Sequence, residues 1–321
     1  MKIRKYFNLT DSNFLITIIG PTAIGKTALG IDLAQHFQCE IFSCDSRQFY
    51  KEMKIGTAVP SDEEMTAAPH HFIQTKSIFE NYSVGDFERE AVLKLDKLFQ
   101  KNTIQIMVGG SGLYVDAILR GFDHFPDIDP LIRQEIKAEY AVNGLDYLQQ
   151  QLKELDPVYF EKLVVENPQT LQNPQRMMRF VEVCLGTKKS YSSFLHQKKN
   201  KRNFIPIIIG LEANREILYS RINQRVDLMI KQGLVEEAKN LYPNKSLNAL
   251  QTVGYRELFD YLDDKISLEF AVEEIKKNTR RFAKRQLTWF KRTENVMWFD
   301  FEADKNEIIA YIEKKLKQPI G

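Results

Sequence analysis

The segment at residues 20–27 has the residue types and spacing of a phosphate-binding loop. It matches the pattern G-x-x-x-x-G-K-[ST]. In this pattern glycines let backbone N–H groups converge on an anion, the lysine supplies a positive charge, and the final hydroxyl can bind magnesium. The sequence therefore predicts a di- or triphosphate site, with Thr27 as a Mg²⁺ ligand, formed by Gly20, Pro21, Thr22, Ala23, Ile24, Gly25, Lys26 and Thr27.

Asp45 follows a short segment, residues 40–44, that is typical of a strand. The carboxyl ends of parallel strands face the ligand crevice of an open α/β sheet, so we expect Asp45 to lie near the phosphate-binding loop. A carboxylate there can act as a general base or bind magnesium through water. The alternative is an aspartate that only caps a helix or closes a turn.

Ser111 lies among three glycines, in Gly109-Gly110-Ser111-Gly112, directly after an apolar segment at residues 104–108. This density of glycine indicates that the backbone closely approaches a ligand or a packed helix. A purely structural glycine turn is the alternative. ATPases of the phosphate-loop class usually carry an aspartate at the end of such a strand, so its absence here weakens an ATPase interpretation.

Two concentrations of positive charge indicate contact with a polyanion, although the net charge is only +2. Eight Lys or Arg residues and no acid lie between Glu274 and Glu294, and a second basic cluster lies within residues 188–202. Arg281 and Arg285 share one helix face. Arg176 and Arg179, three residues apart, form a similar pair. A solvated basic helix face is the alternative in each case.

Alternating strand and helix patterns predict an α/β fold with a parallel sheet. Strands are expected at residues 14–19, 40–44, 104–108, 204–211 and 296–300, and helices at 27–37 and 83–100. Residues 126–203 instead have helical periodicity and several prolines. The predicted organisation is an N-terminal extension (1–13), the first part of the core (14–125), an all-helical insertion (126–203), and the second part of the core with basic C-terminal helices (204–321).

The composition excludes several classes of protein. With 43% hydrophobic and 27% charged residues, the chain can bury a core, but its apolar runs are far shorter than the roughly 20 residues of a membrane span. No apolar secretion signal is visible, so we expect a cytoplasmic protein without membrane contact. Three cysteines without a Cys-x-x-Cys spacing argue against disulfides or zinc. His70 and His71, pointing to opposite faces of a strand, are interpreted as structural.

Motifs along nearly the whole chain after Asn13 resemble those of the bacterial tRNA dimethylallyltransferase (tRNA isopentenyltransferase) family. Besides the phosphate loop, they are Asp-Ser-Arg-Gln-Phe-Tyr at 45–50, Ile-Gly-Thr-Ala at 55–58, Ala-Pro-His-His-Phe at 68–72, Gly-Gly-Ser-Gly-Leu-Tyr at 109–114, Asn-Pro-Gln-Arg at 173–176, Val-Gly-Tyr-Arg-Glu at 253–257 and Ala-Lys-Arg-Gln-Leu-Thr-Trp-Phe at 283–290. Two departures stand out: Ser111 replaces the usual threonine, and Val59 replaces the usual lysine.

The resemblance implies a phosphate-loop parallel sheet flanked by helices, with a helical insertion that binds tRNA. It also implies transfer of a dimethylallyl group from dimethylallyl diphosphate to N6 of adenosine 37, next to the anticodon, in tRNAs that read codons beginning with U. The phosphate loop would hold the leaving diphosphate with Mg²⁺, assisted by Arg221 and Arg225. Asp45 would accept the N6 proton and Ser111 would orient the amine.

The resemblance further implies a grip on the anticodon stem-loop, with the target base flipped into a channel. The implied tRNA-binding residues are Asp45, Ser46, Arg47, Gln48, Ser111, Arg133, Gln175, Arg176, Met177, Met178, Arg179, Thr252, Val253, Gly254, Tyr255, Arg256 and Glu257, to which the basic helix adds Arg281 and Arg285. A monomer is expected.

Three other functions fit parts of the sequence. The first is a kinase that uses ATP, and the second is an RNA-binding protein whose phosphate loop is vestigial. Intact Lys26 and Thr27 argue against the second. The third is an enzyme that prenylates free adenine nucleotides, for which the helical insertion and the basic segments would have little purpose.

Overall fold

The computed structural model describes residues 12–123, 125–195 and 201–318. The chain forms two compact units, one from residues 1–120 and 202–321 and the other from residues 121–201. Residues 1–11 of the predicted N-terminal extension, and Lys198 and Lys199 of the second basic cluster, lie outside the described residues. Asn13, assigned to the extension from sequence, is instead the first residue of a strand.

The larger unit is built on a six-stranded sheet whose strands are all parallel. The strands are β1 (Asn13–Ile19), β2 (Ile41–Ser43), β3 (His70–His71), β4 (Ile104–Val108), β5 (Phe204–Glu212) and β6 (Val296–Asp300). Their order across the sheet is β3-β2-β4-β1-β5-β6. The predicted α/β fold and its five predicted strands are confirmed. The two-residue strand β3 was not among these five, although the interpretation of His70 and His71 assumed a strand there.

The central strand β1 is buried on both faces, as its continuous apolar run predicts. Phe14, Ile16 and Ile18 belong to the core on one face of the sheet. Leu15 and Ile19 belong to the core on the other face. Its polar residue Thr17 is fully buried as well, and burial on both faces fits the position of β1 in the middle of the sheet.

Helices cover both faces of the sheet, because parallel strands need crossover connections. Those that precede the smaller unit are α1 (Lys26–Phe37), α2 (Asp62–Ala67), α3 (Val84–Phe99) and α4 (Gly112–Arg120). Helix α3 begins with a capping box: the Ser83 hydroxyl accepts from Asp86 N, and the Asp86 carboxylate accepts from Ser83 N.

The smaller unit is helical, with no strand among its described residues. It contains α5 (Pro130–Leu155), α6 (Pro157–Glu166), α7 (Pro168–Leu171) and α8 (Pro174–Thr187). Each begins with a proline, which lacks only an N–H that the first turn does not use. Helix α5 is interrupted at Gly144, whose φ is 69°. Buried Leu148, Leu152 and Met177 lie in the core of this unit.

The chain then returns to the larger unit through β5. The remaining helices are α9 (Arg215–Lys231), α10 (Leu234–Leu241), α11 (Tyr255–Leu262), α12 (Leu268–Phe290) and α13 (Lys305–Leu316). Helices α9 to α12 contribute to a further apolar cluster that contains the fully buried Tyr255. No described helix has the length and apolar character that crossing a bilayer demands.

Asp156 joins two segments of the helical unit, and its removal should destabilise that unit. Its carboxylate caps α6 by accepting from Tyr159 N at 3.1 Å, and it also accepts from Ser192 N at 2.7 Å. Because Asp156 is buried, Asp156→Ala should lower the free energy of unfolding by about 2–3 kcal/mol, measured by urea denaturation. Asp156→Asn should lose less, and the exposed Glu161→Ala is the matched control. Equal effects of Asp156→Ala and Glu161→Ala would contradict this role.

Candidate active site

The phosphate-binding loop connects β1 to α1, as the sequence predicts. Gly20 and Gly25 have φ of 147° and 108°, a conformation that side chains rarely adopt. A Cβ at Gly20 would also lie 2.6 Å from the Leu211 carbonyl oxygen of β5. Glycine is therefore required at both ends of the loop, and the backbone between them curls around the start of α1.

Lys26 is held inside this loop. Its Nζ donates a hydrogen bond to the Pro21 carbonyl oxygen at 2.7 Å. Burial, helped by the nearby Arg225 guanidinium, lowers the pKa of Lys26 from 10.5 to about 7, while Asp45 acts in the opposite direction. The free loop therefore holds an amine whose charged form an arriving anion would stabilise.

Asp45 and Ser111 follow the carboxyl ends of the adjacent strands β2 and β4. The Asp45 carboxylate accepts a hydrogen bond from Arg47 N at 2.9 Å. The Ser111 hydroxyl accepts from Ser46 N at 3.0 Å and lies 3.1 Å from the Ser46 hydroxyl. The two strand ends are thus joined next to the loop. A Cβ at Gly109 would lie 2.5 Å from Cys44 Cβ, which explains one of the three glycines.

A cavity of about 560 Å³ collects most of the predicted site. Its size lies within the range of small-molecule sites. It brings the loop together with Asp45, Gln48, Arg221 and Arg225, but Ser111 is not among its lining residues. The lining residues that sequence reasoning had not assigned to the site include Glu64, His70, Ile73 and Leu228, together with Thr57, Ala58, Val59 and Pro60.

The two predicted arginines have different surroundings. Arg221 donates from Nε to the Ala23 carbonyl oxygen at 2.8 Å, and its guanidinium lies 4.9 Å from the centre of the Phe301 ring. Arg221 therefore supports the loop backbone. Burial lowers the pKa of Arg225, whereas the Asp45 and Glu64 carboxylates favour its charged form. Arg225 is thus a cation inside the cavity.

Residues 57–60 form one wall of the cavity, and two side chains fix the backbone of this wall and of the three residues before it. Gln48 donates from Nε2 to the carbonyl oxygens of Thr57 and Ala58 at 3.2 and 2.9 Å. The Glu237 carboxylate accepts from the backbone N–H groups of Lys54, Ile55 and Gly56 at 2.8–2.9 Å. Val59, which replaces the family's lysine, lines the cavity, so this wall presents an apolar side chain there.

The predicted tRNA-binding segment at residues 252–257 is largely internal. Tyr255 is fully buried and donates to Glu237 Oε1 at 2.7 Å. Glu257 is buried and accepts from Gly254 N and from Asn278. The side chains of Tyr255 and Glu257 therefore contact other protein groups. Among the six predicted residues, only Arg256 is exposed.

Arg47 also makes a structural contact. Its Nη1 donates to the carbonyl oxygens of Asn248 and Ala249, at 3.1 and 2.9 Å. Arg47 therefore links the segment after β2 to the turn that precedes residues 252–257. Ser46 and Gln48, like Arg47, are half-buried.

In the helical unit, Glu182 brings together three of the predicted tRNA-binding residues. It accepts from Arg133 at 2.5 Å and pairs with Arg179 at 3.3 Å, while Arg133 also donates to Gln175. Next to this network lies a cavity of about 590 Å³, which is lined by Tyr159, Asn167, Thr170, Asn173, Gln175, Arg176, Arg179, Tyr191 and neighbouring apolar residues. Met177 and Met178 are buried in the helical core, so their side chains are turned away from solvent.

Helix α12 carries the basic segment, and its outer face is strongly cationic. Within the described part of the chain, Arg281, Lys284, Arg285 and Arg292 form no ion pair, whereas Lys276, Lys277 and Lys291 do. The aromatic side chains of this helix differ in burial: Phe282 and Trp289 are 37% and 39% exposed, whereas Phe290 is fully buried.

Comparison with known proteins places this site in a family. A family model described as IPP transferase matches residues 48–293. The chain belongs to the IPP transferase family. Proteins named tRNA dimethylallyltransferase from Flavobacterium johnsoniae and Bacteroides fragilis are 69% and 44% identical to it, over 96% and 94% of this chain and 99% and 98% of their own lengths.

Two solved structures extend the comparison. The tRNA isopentenylpyrophosphate transferase of Bacillus halodurans is 36% identical, with a TM-score of 0.67 over 96% of both chains. A eukaryotic dimethylallyltransferase, solved acting on tRNA, is 26% identical, with a TM-score of 0.80 over 96% of this chain and 81% of its own. The predicted family and fold are therefore confirmed.

Several residues that shape the site of this IPP transferase family member could not be picked out from sequence. Glu237 and Glu182 lie on helices without a recognisable motif, so no pattern indicates that their carboxylates anchor the cavity wall and the arginine network. Gln286, which hydrogen-bonds to the phosphate loop at Thr22 N, lies inside the resembling segment at 283–290. That resemblance was a signal that could have identified it.

The depressed pKa of Lys26 predicts proton uptake when a diphosphate binds. At a pH of about 8 most free protein carries neutral Lys26, and a bound diphosphate favours the ammonium, so binding should take up close to one proton. This proton uptake is measured by calorimetric titration with dimethylallyl diphosphate. The titrations contain EDTA and are repeated in buffers of different ionisation enthalpy. The uptake should vanish well below pH 7, where Lys26 is already charged, and in Lys26→Met. Equal uptake by Lys26→Met would contradict the assignment.

Proposed function

We propose that this protein transfers the dimethylallyl group of dimethylallyl diphosphate to N6 of the adenosine next to the anticodon of tRNA. The observation that supports this most directly is the single cavity that brings a phosphate-binding loop and Asp45 together. Membership of the IPP transferase family supports the reaction class. A monomer is the proposed state.

The loop would bind the diphosphate of the donor. Backbone N–H groups at the start of α1, Lys26 and Arg225 supply positive charge where negative charge develops as the C1–O bond breaks. Arg221 holds the loop backbone through Ala23. The wall formed by Ala58, Val59 and Pro60, with Ile73 and Leu228, offers an apolar surface suited to the five-carbon group.

Mg²⁺ is the expected cofactor, and the residues present fit it in the manner usual for this ion. The described residues contain no cluster of three or more His, Cys, Asp or Glu side chains that could hold a metal ion. Mg²⁺ is commonly bound by one or two protein oxygens, substrate phosphates and water. Thr27 lines the cavity beside Lys26 and would provide such an oxygen. Bound there, the ion would neutralise charge on the diphosphate.

Asp45 would act as the general base. The N6 lone pair attacks C1 of the donor, the C1–O bond breaks, and its electron pair leaves with the diphosphate. The amine then releases one proton, which the Asp45 carboxylate accepts. Arg47 N holds one carboxylate oxygen, which orients the side chain. Ser111 is hydrogen-bonded to Ser46, the residue after Asp45, and does not line the cavity, so its hydroxyl would support the segment that carries the base and would reach the amine only after a rearrangement.

The tRNA contacts are assigned to exposed cations and to the helical unit. On the outer face of α12 these are Arg281 and Arg285, joined by the partly exposed ring of Phe282. In the helical unit, the cavity next to Arg176 and Arg179 combines guanidinium groups, tyrosine rings and amides, the side chains that bind unpaired nucleotides. Contacts of Arg133, Gln175 and the segment at residues 252–257, in which Arg256 is exposed, remain part of this proposal.

The reaction is tested with undermodified tRNA, Mg²⁺ and the protein. Mass spectrometry of the nucleosides should detect N6-(dimethylallyl)adenosine when dimethylallyl diphosphate is the donor. Parallel reactions with labelled ATP separate a kinase, because only the true donor leaves label on the product. AMP as the acceptor separates prenylation of free nucleotides. Labelled product from ATP, or from AMP with no competition by tRNA, would overturn the proposed function.

Replacing Asp45 should separate catalysis from binding. Asp45→Ala should lower the turnover number by roughly 10²–10⁴-fold, the usual contribution of a general base. Affinity for tRNA, measured by filter binding, should stay within several-fold of the native protein, because phosphate contacts dominate such affinity. Asp62→Ala, an exposed aspartate at the start of α2, is the control. Unchanged turnover of Asp45→Ala would remove Asp45 as the base.

Reversing charge on the outer face of α12 should weaken tRNA binding and reduce its dependence on salt. Arg281→Glu with Arg285→Glu removes two cations that have no ion-pair partner among the described residues. For every tRNA phosphate that is no longer neutralised, the slope of log affinity against log salt should flatten by about 1. Lys314→Glu with Lys315→Glu, on α13, is the matched control. An unchanged slope would show that this face does not bind tRNA.

A further inference from the structure

Gln286 is a buried amide that α12 directs into the phosphate loop. It is only 6% exposed, and both ends of its amide are hydrogen-bonded to backbone groups. Its Oε1 accepts from Thr22 N at 2.9 Å, and its Nε2 donates to the Gly110 carbonyl oxygen at 2.7 Å. One side chain therefore joins the phosphate loop after β1 to the glycine turn after β4.

The peptide group between Pro21 and Thr22 is held from both sides. Its N–H donates to Gln286, and its carbonyl oxygen accepts from Lys26 Nζ at 2.7 Å. A peptide group is planar, so fixing the direction of its N–H also fixes that of its carbonyl. Gln286 therefore sets the position of the acceptor that orients the Lys26 ammonium.

The packing around Gln286 leaves little room for another arrangement. A Cβ at Gly110 would lie 2.5 Å from Gln286 Nε2, so no larger residue fits opposite the amide. One turn further along α12, Trp289 packs against Gly112. A Cβ added to Gly112 would lie 2.4 Å from the indole ring. Trp289 Nε1 donates to Asp116 at 2.9 Å. The inner face of α12 is therefore seated on the turn that carries Ser111.

We infer that Gln286 is a positioning residue for the diphosphate: through the Pro21–Thr22 peptide it places Lys26, and through Gly110 it holds the turn beside Asp45. This inference rests on the proposed function. Both ends of the Gln286 amide are occupied by protein backbone, so Gln286 would act on the donor through the loop and not by direct contact. Its neighbour Arg285 is exposed and belongs to the proposed tRNA-binding face.

Two substitutions test this role. Gln286→Met removes both hydrogen bonds with little change in volume, and should weaken binding of dimethylallyl diphosphate and inorganic diphosphate to the free protein by about tenfold. Gln286→Glu keeps the acceptor for Thr22 N, but places a second oxygen against the Gly110 carbonyl and a negative charge beside the diphosphate. It should therefore bind diphosphate more weakly than Gln286→Met. Calorimetry measures these affinities, and steady-state kinetics should show a raised donor KM with an unchanged tRNA KM.

Arg285→Gln is the matched control, because it should weaken tRNA binding severalfold and leave diphosphate affinity unchanged. The Thr22 amide should exchange slowly with solvent in the native protein and quickly in Gln286→Met, which tests the hydrogen bond itself. A folded Gln286→Met with diphosphate affinity within twofold of native would overturn the inference, as would equal losses of tRNA and diphosphate affinity. If the native protein bound no diphosphate, the proposed donor site itself would be wrong. Slow exchange of the Thr22 amide would in that case still support the contact of Gln286 with the loop.

Discussion

This site depends on one constraint: it holds positive charge away from water without a counter-ion. Lys26 and Arg225 both have lowered pKa values because burial disfavours their charged forms. The carboxylates that line the cavity, Asp45 and Glu64, only partly offset this. An arriving diphosphate completes the balance, since its charge stabilises both cations. In the proposed reaction, this positive charge stabilises the diphosphate most strongly when the C1–O bond breaks, because the negative charge on the diphosphate then grows.

The topology of the sheet explains why so few residues suffice. In the order β3-β2-β4-β1-β5-β6, strands β2, β4 and β1 are neighbours, and all run in the same direction. Their carboxyl ends therefore meet at one edge, which brings the phosphate loop, Asp45 and the glycine turn together although they are far apart in sequence. The close approach of Gly109 to Cys44 and of Gly110 to Gln286 shows what these glycines are for. They allow backbone contact with neighbouring elements, which leaves the cavity to the loop and the carboxylate.

The fold could be predicted from sequence where one local pattern had one interpretation. The run at β1 is apolar except for Thr17, and the four helices α5 to α8 of the helical unit begin with proline, so both strand and helix could be predicted. The site was harder, because a motif does not say whether a side chain meets a ligand or a neighbour. Tyr255 and Glu257 lie in a recognisable motif, yet they are buried among protein groups. Glu237 has no motif, yet it fixes the cavity wall.

In the proposed function, helix α12 serves two substrates with opposite demands. Ala283, Gln286 and Phe290 recur at helical spacing and are buried, whereas Arg281 and Arg285 are exposed. The buried face has to be neutral, because an ammonium next to the Pro21–Thr22 peptide would compete with Lys26 for the Pro21 carbonyl oxygen, and a carboxylate there would repel the diphosphate. The exposed face has to be cationic to attract a polyanion. Turning the helix by one residue, about 100°, would bring Arg285 to the place of Gln286. The packing of Trp289 and Gln286 against Gly112 and Gly110 therefore keeps the amide on the loop and the charge of Arg285 in solvent.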